Sequence, residues 1–370
     1  MPPPVLKPHS KMTEVHCIGR GVVTPVGNSP AEVFRAVREG RTALALHEGF
    51  PEPYFASLLE RKGASSGAAF FDDIAIQAAR PALEEAGINP AGERTYLILS
   101  SIKGRIEAID SEDVSLAASA RRIADALGVT TQPVVVSNAC ISGLAALVQG
   151  MRMIRSGLAD HVIVVGAEVQ PPFIVTGFQS LKALSLNACR PFDAERDGLN
   201  LGEAAAAMVL SRQPGSWELV EGAIRNDANH ISGPSRTGEG SYNALRAVLP
   251  LSRREELDFV NVHGTATRYN DEMESIAIER AGLLDVPVNA LKGIFGHTMG
   301  AAGILESIVS MEACDAGVVL PTKGFATLGV SRPVNVTAEE RPCRGSEFIK
   351  LLSGFGGVNG ALLFRKGGAR

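Results

Sequence analysis

The chain has 370 residues, enough for about two domains, and its 45% hydrophobic and 21% charged residues are the balance of a folded globular protein. Lys and Arg number 36 against 40 Asp and Glu, a net charge of −4 without a basic run, which argues against nucleic-acid binding. With 39 Gly and only 5% aromatics, packing through small residues and sharp turns is expected rather than packing through large rings.

The longest stretch without a charge, Ala126 to Met151, is long enough to span a bilayer. It carries Thr130, Thr131, Gln132, Pro133, Ser137, Asn138 and Gln149, which a lipid-facing helix would not, so no membrane span is expected. Residues 1–13 open with three prolines in a row and no apolar core, and read as a flexible leader rather than a signal peptide. The five cysteines are an odd number without a CxxC pair, which points to a reducing cytoplasm rather than a disulfide framework or a zinc site.

Val15 to Val23 reads as a strand, closed by the turn Thr24-Pro25-Val26-Gly27-Asn28. Pro30 to Glu39 follows as a helix capped by Ser29, and apolar spacing predicts another over Phe71 to Ala86, stopped at Gly87. Next come a strand at Tyr96–Leu99, a helix at Val114–Leu127, a strand at Pro133–Val136, a helix at Ser142–Ser156 and a strand at His161–Val165. A new series starts after Ser211-Arg212-Gln213-Pro214-Gly215: a strand at Trp217–Arg225, a helix at Ser241–Leu249 and a strand at Phe259–Val262. A helix at Gly303–Ala313 and a strand at Leu362–Phe364 follow. Alternating strands and helices predict an α/β protein with buried, largely parallel strands, in two αβ-rich halves over residues 14–212 and 213–370.

Three segments can carry chemistry. Cys140 stands where the β-branched run Val134-Val135-Val136 turns into a helix, and a helix N-terminus favours a thiolate. At an ordinary pKa of ~8.5 only about 3% of a thiol is ionised at neutral pH; a drop of roughly 1.5 units would ionise half. His263 closes an apolar strand and is followed by Gly264-Thr265-Ala266-Thr267, as at the rim of a sheet. His297 sits in Gly296-His297-Thr298-Met299-Gly300-Ala301-Ala302-Gly303, whose small residues allow a helix to start close to another backbone. Taken singly, each is as well explained as a buried core residue, and Lys292 and Glu306 as surface charges. Cys17, Cys189, Cys314 and Cys343 keep the structural reading.

Together, and in this order, the segments resemble the β-ketoacyl-acyl carrier protein synthases, elongating condensing enzymes of thiolase-like fold. Gly177-Phe178 to Ser185, Arg190-Pro191-Phe192-Asp193 with Glu195-Arg196-Asp197-Gly198, and the loop Gly354-Phe355-Gly356-Gly357-Val358-Asn359-Gly360 extend the likeness over roughly residues 14–366. The resemblance implies two similar halves in an α-β-α-β-α layering, with the nucleophile Cys140 in the first and His263 and His297 in the second. Cys140 would take an acyl group as a thioester, with the backbone N–H groups of Cys140 and Phe355 as oxyanion hole. His263 and His297 would stabilise the enolate formed when a malonyl donor loses CO₂, which then attacks the acyl group and yields a β-ketoacyl product. Lys292 and Glu306 would organise the histidines, Thr265 and Thr267 would line the pantetheine side, and the Phe355 ring would gate the pocket.

The same resemblance implies no metal or cofactor beyond the phosphopantetheine that arrives on the carrier protein. It implies acyl carrier protein as partner and a homodimer as default, with a heterodimer with a second ketosynthase-like chain as the alternative. A degradative thiolase would have a cysteine in the glycine-rich loop and an initiating synthase an Asn in place of His297. Two other readings stay open: a non-elongating acyltransferase of the same fold, and a structural, chain-length partner. The chain departs from the family at Ser353, where a Phe is usual, and in the shortened segments Ile102–Val136 and Leu186–Cys189. The shortened Ile102–Val136 segment points to a specialised polyketide or polyene pathway rather than to housekeeping fatty-acid synthesis. Arg61 with Lys62 and Arg121 with Arg122 are the candidate docking pairs for an acidic carrier protein.

Overall fold

The computed structural model describes residues 13–48, 51–61, 69–110 and 114–367. Most of the leader expected over 1–13, and Lys62, lie outside the described residues. Along the chain run β1 (His16–Val23), α1 (Pro30–Arg38), β2 (Leu44–His47), β3 (Tyr54–Ser57), α2 (Ala69–Ala86), β4 (Thr95–Ser100) and α3 (Leu116–Ala126). Then come β5 (Val134–Val136), α4 (Ser142–Arg155), β6 (His161–Glu168), α5 (Pro172–Ser180), β7 (Leu201–Gly202) and β8 (Ala204–Ser211). After Ser211 follow β9 (Trp217–Asn226), α6 (Glu239–Val248), β10 (Leu257–Asn261), α7 (Arg268–Arg280), β11 (Val288–Asn289) and α8 (Lys292–Phe295). The chain ends with α9 (Ala302–Asp315), β12 (Val318–Val319), β13 (Arg341–Pro342), β14 (Glu347–Gly354) and β15 (Val358–Lys366).

The main sheet has the order β11-β10-β14-β15-β9-β1-β8-β6-β4-β5. It divides at the short contact of β1 with β9, where His16 faces Glu218 and Cys17 faces Trp217. The two sides carry the same pattern. In one, β1 is antiparallel to β8, β8 antiparallel to β6, and β6, β4 and β5 are parallel. In the other, β9 is antiparallel to β15, β15 antiparallel to β14, and β14, β10 and β11 are parallel. A duplication too faint to read in the residues is explicit in the strand order.

Both faces of these strands are covered. On β4, Leu97 and Leu99 pack with Ile74 of α2 and Ile123 of α3, while Ile98 points the other way, toward Leu144 of α4 and Ile304 of α9. In the second half, Val260 and Ile349 face Leu245 of α6 and Ile278 of α7, while Phe348 joins the core of α4 and α9. The result is helix, sheet, helix pair, sheet, helix. Period-two strands buried on both faces read as continuous apolar runs, which is why they were legible as strands but not as faces.

The central helices meet through glycine. A Cβ on Gly143 would come 2.7 Å from the Gly300 carbonyl oxygen, and one on Gly303 would come 2.3 Å from the Leu144 nitrogen. Both neighbours are backbone and cannot swing away. Gly303→Ala is therefore expected to lose about 1–3 kcal/mol of stability, measured by denaturant unfolding, by forcing α4 and α9 apart. Ser29 caps α1 as expected, accepting from the Glu32 N–H. The uncharged run Ala126–Met151 is split between β5 and α4, and among the described residues no helix is long and apolar enough to cross a membrane.

Candidate active site

Cys140 lies between β5 and α4, at the elbow where the chain reverses from strand to helix. Ala139 has φ of 47°, a left-handed conformation that costs a non-glycine residue about 1 kcal/mol or more. Ser142 ties the elbow down: its Oγ accepts from the Asn138 N–H at 2.7 Å and donates to the Ala139 carbonyl at 2.6 Å. The backbone N–H groups of Phe355 and of Cys140 itself both reach the Sγ. Gly354 makes the approach of that loop feasible, since a Cβ there would sit 3.1 Å from the Cys140 nitrogen. Cys140 is only 6% exposed. Burial pushes its thiol up to about 11, outweighing the Lys292 charge and the Phe355 N–H, which lower it. The thiolate expected from the helix terminus is thus opposed by desolvation, and the resting group is the thiol.

His263 follows β10, and α7 holds it. The N–H groups of His263 and Gly264 donate to the two oxygens of Glu274 at 2.7 and 2.8 Å, and the Thr265 N–H donates to Asp271 at 3.0 Å. Thr267 caps α7, accepting from the Asn270 N–H. His297 follows Gly296, whose φ of 67° and contact with the Leu201 carbonyl leave no room for a side chain. The Met299 N–H donates to His297 Nδ1 at 3.3 Å, which assigns the proton to Nε2. Left-handed non-glycine residues recur beside both histidines, at Ala266 and Met299, so strain collects around all three groups.

These elements bring the expected trio together. Cys140 Sγ and one ring nitrogen each of His263 and His297 lie within 4.8 Å of one another, and the two rings meet edge to face at 5.0 Å. Both imidazoles are held well below their ordinary value, by burial first and then by the neighbouring Lys292 and Lys350 charges, so both are neutral. His263 Nδ1 and His297 Nε2 are buried without a hydrogen-bond partner among the described residues. Neutral imidazoles with unengaged nitrogens suit a developing oxyanion or a proton in transit. Three such atoms also have the spacing of a metal site, but the two lysines beside them oppose a cation.

Lys292, on α8, and Glu306, on α9, are not surface charges. Lys292 Nζ donates to the His263 carbonyl at 2.6 Å and to Glu306 Oε1 at 2.9 Å. Lys350 of β14, which the sequence reading did not single out, donates to the other Glu306 oxygen. Burial raises the Glu306 carboxyl, yet Lys292 and Lys350 hold it below its ordinary value. The signal for Lys350 was available as a lone charge in the apolar run Phe348-Ile349-Lys350-Leu351-Leu352. Glu274 and Asp271 were also missed, and so was Glu168, which accepts from the Gly300 N–H at 2.9 Å and from Ser101 Oγ at 2.9 Å.

A cavity of about 500 Å³ opens over the trio, and Thr265, Thr267, Ser353 and Phe355 all line it. Phe355 is 38% exposed at the mouth and stacks on Phe178 with centroids 6.0 Å apart. Ser353 is buried and polar in its contacts, 3.1 Å from Ser241 Oγ and 3.0 Å from Asn359 Oδ1. The other cysteines do not join: Cys189 donates to the Lys292 carbonyl, and burial pushes Cys17 and Cys189 up to about 12. Of the candidate docking residues, the three described arginines each meet a carboxylate. Arg61 is bound to Glu203 at 3.0 Å, Arg121 to Asp125 at 3.4 Å and Arg122 to Asp72 at 2.7 Å.

Residues 12–214 match the family model of the beta-ketoacyl synthase N-terminal domain, and residues 217–326 that of the C-terminal domain. The chain belongs to the β-ketoacyl synthase family, acyltransferase-class condensing enzymes, and its layered α/β architecture is the thiolase-like fold that the resemblance implied. It is 31% identical to the tetracenomycin polyketide synthase ketoacyl synthase alpha subunit of Streptomyces glaucescens, over 94% of this chain and 96% of that one. It is 29% identical to 3-oxoacyl-[acyl-carrier-protein] synthase 2 of Vibrio cholerae, over 94% of this chain and 98% of that one. The solved ishigamide ketosynthase/chain length factor superposes with a TM-score of 0.86 at 25% identity, covering 97% of this chain and all of that one.

Proposed function

We propose that the protein elongates an acyl chain by decarboxylative condensation with malonyl-acyl carrier protein, using Cys140, His263 and His297. The observation that carries this is the convergence of one thiol, two neutral imidazoles and two backbone N–H groups under one cavity. In the first half-reaction, Cys140 Sγ attacks the acyl thioester, the carbonyl oxygen charges in reach of the Cys140 and Phe355 N–H groups, and the pantetheine thiol leaves with a proton. In the second, the malonyl carboxylate departs as CO₂ and its electron pair moves onto the thioester as an enolate held by His263 and His297. The enolate carbon attacks the acyl carbonyl, and Cys140 is expelled as a thiolate that takes a proton from solvent to return to the thiol. The electrons balance without a redox group or a metal. Lys292 and Glu306 support the histidines, Thr265, Thr267 and Ser353 face the donor and its pantetheine, and the Phe355 ring gates the mouth.

The partner in this reading is an acyl carrier protein, as in the name of the Vibrio relative, and the compartment is the cytoplasm, in keeping with five unpaired cysteines. The likeness to an alpha subunit and to a ketosynthase/chain length factor supports a role as catalytic member of a pair, because Cys140 is present; a homodimer is the other assembly. Residues 14–212 and 213–370 are read as the two thiolase-like halves, and a polyketide or polyene pathway is favoured over housekeeping fatty-acid synthesis.

The test is intact mass after incubation with acyl carrier proteins of different chain length, followed by CO₂ release from malonyl carrier protein. Acylation together with CO₂ release supports the synthase, acylation without it a non-elongating acyltransferase, and neither a structural partner. His297→Asn is expected to acylate Cys140 while releasing CO₂ about 100-fold more slowly, because one enolate donor is displaced. Equal loss of both half-reactions would contradict the division of labour.

A further inference from the structure

Lys350 is a second ammonium beneath the site, and nothing in the mechanism above uses it. It is 0% exposed, and Glu306 is 1% exposed. Lys350 stands opposite Asn261 in the β10–β14 ladder, and its Nζ donates to Asn261 Oδ1 at 2.6 Å and to the Val262 carbonyl at 3.1 Å. Asn261 is oriented in turn by Asn289 on β11, its Nδ2 donating to Asn289 Oδ1 at 2.9 Å. Lys292 takes the next carbonyl along, that of His263. Two lysines thus hold two successive carbonyls of the segment that delivers His263, and share one carboxylate.

Burying a charge is not by itself a gain for a fold. A buried ion pair contributes little that an apolar side chain of similar volume would not, and burying an ammonium is costly. A second lysine on a carboxylate already paired leaves the cluster with an excess positive charge. That charge lies beside the two imidazoles proposed to receive negative charge.

We propose that Lys350 is a positioning residue for the enolate-forming half-reaction, fixing the backbone that carries His263 and adding positive potential beneath His263 and His297. The assignment rests on the synthase reading above. Lys350 pairs with Glu306 from α9, the charges of Lys292 on α8 and Glu274 on α7 also act on it, and both histidines feel its charge. Burial lowers it to about 8, with Glu306 and Glu274 opposing, so it sheds its proton within an assayable range.

The experiment uses full-length protein, with Lys350→Met to remove charge and hydrogen bonds and Lys350→Gln to keep hydrogen bonding alone. In both, CO₂ release from malonyl carrier protein is expected to fall about 10- to 100-fold, while Cys140 acylation by intact mass changes within about threefold. In the wild type, CO₂ release is expected to decline as pH rises through about 8, and this limb is absent from both variants. Folded variants with wild-type CO₂ release, or with the limb unchanged, overturn the proposal. If neither variant folds, the wild-type profile decides alone: a decline near that pH supports the assignment and a flat one overturns it. Wild-type protein that acylates Cys140 but releases no CO₂ overturns the synthase reading itself, and this assignment with it.

Discussion

Cys140→Ala protein is expected to gain no mass with any acyl carrier protein, whereas the wild type gains the mass of the acyl group. The rate loss should be at least about 10³-fold, since the nucleophile is removed and the oxyanion donors alone form no covalent intermediate. No second thiol can replace it. Cys17, Cys189 and Cys314 are buried, and Cys343 packs against Cys314 and Asp258, away from the cavity. The wild type should also show the effect of burial on the nucleophile. With the thiol pushed up to about 11, the thiolate is rare near neutrality and increases tenfold per pH unit. Alkylation of Cys140 by iodoacetamide should therefore climb from about pH 6 to about pH 9 without a plateau. A plateau below about pH 8 would mean that the terminus of α4 dominates over desolvation. Acyl transfer in that case begins from a preformed thiolate rather than from a thiol that gives up its proton in the reaction.

The second large effect is on stability. Glu306→Gln removes the one carboxylate that, among the described residues, bonds both Lys292 and Lys350, leaving two buried ammonium groups facing each other. Breaking a buried pair from one side costs about 3–5 kcal/mol, because the remaining charge stays desolvated and unpaired. The sign of the pH dependence follows from linkage. In the wild type Lys350 already sits at about 8 when folded, below its ordinary 10.5, so the unfolded chain binds that proton more tightly. Between those values this group makes stability rise with pH. Without Glu306, the main group that raises it, the folded value drops further, so the window widens downward and the slope near neutrality steepens. Denaturant midpoints across about pH 7 to 10 measure this. A variant as stable as the wild type, with no added slope, would mean that water reaches the lysines and that the cluster is not dry.

Much of the site was legible because three short segments, read together and in order, point to one chemistry. Cys140 at a strand-to-helix turn, His263 before Gly-Thr-Ala-Thr and His297 before a run of small residues each carry a local reason for being where they are. The structure brings them within one cavity as expected. The partners were harder to read. Lys350 stands in a strand whose neighbours are all apolar, and Glu274 and Asp271 sit in the first turns of a helix where acidic residues are ordinary caps. Their roles depend on which backbone N–H and carbonyl groups they meet once the chain is folded, close by in sequence for Glu274 and Asp271 and at the end of another strand for Lys350. The ion pairs of Arg61, Arg121 and Arg122 were hidden for the same reason: which carboxylate packs beside a guanidinium is set by the fold.

The fold divides in a similar way. Strands at Val15–Val23 and His161–Val165 and helices over Ser142–Ser156 and Gly303–Ala313 were evident from β-branched runs and helical spacing. By contrast, β8, which begins with four alanines, and β14, which holds a lysine, gave little sign of being central strands. Alanine and lysine are poor strand formers, so tertiary packing on both faces makes them strands. What the sequence by itself determined was the class of architecture, which follows from local period, and the candidacy of Cys140, His263 and His297, which follows from three segments read together. What only the tertiary structure decided was the repeated strand order, the charge state of the thiol and the imidazoles, and the Lys292–Glu306–Lys350 cluster. Burial and long-range pairing set all three, and neither is a property of any short stretch of chain.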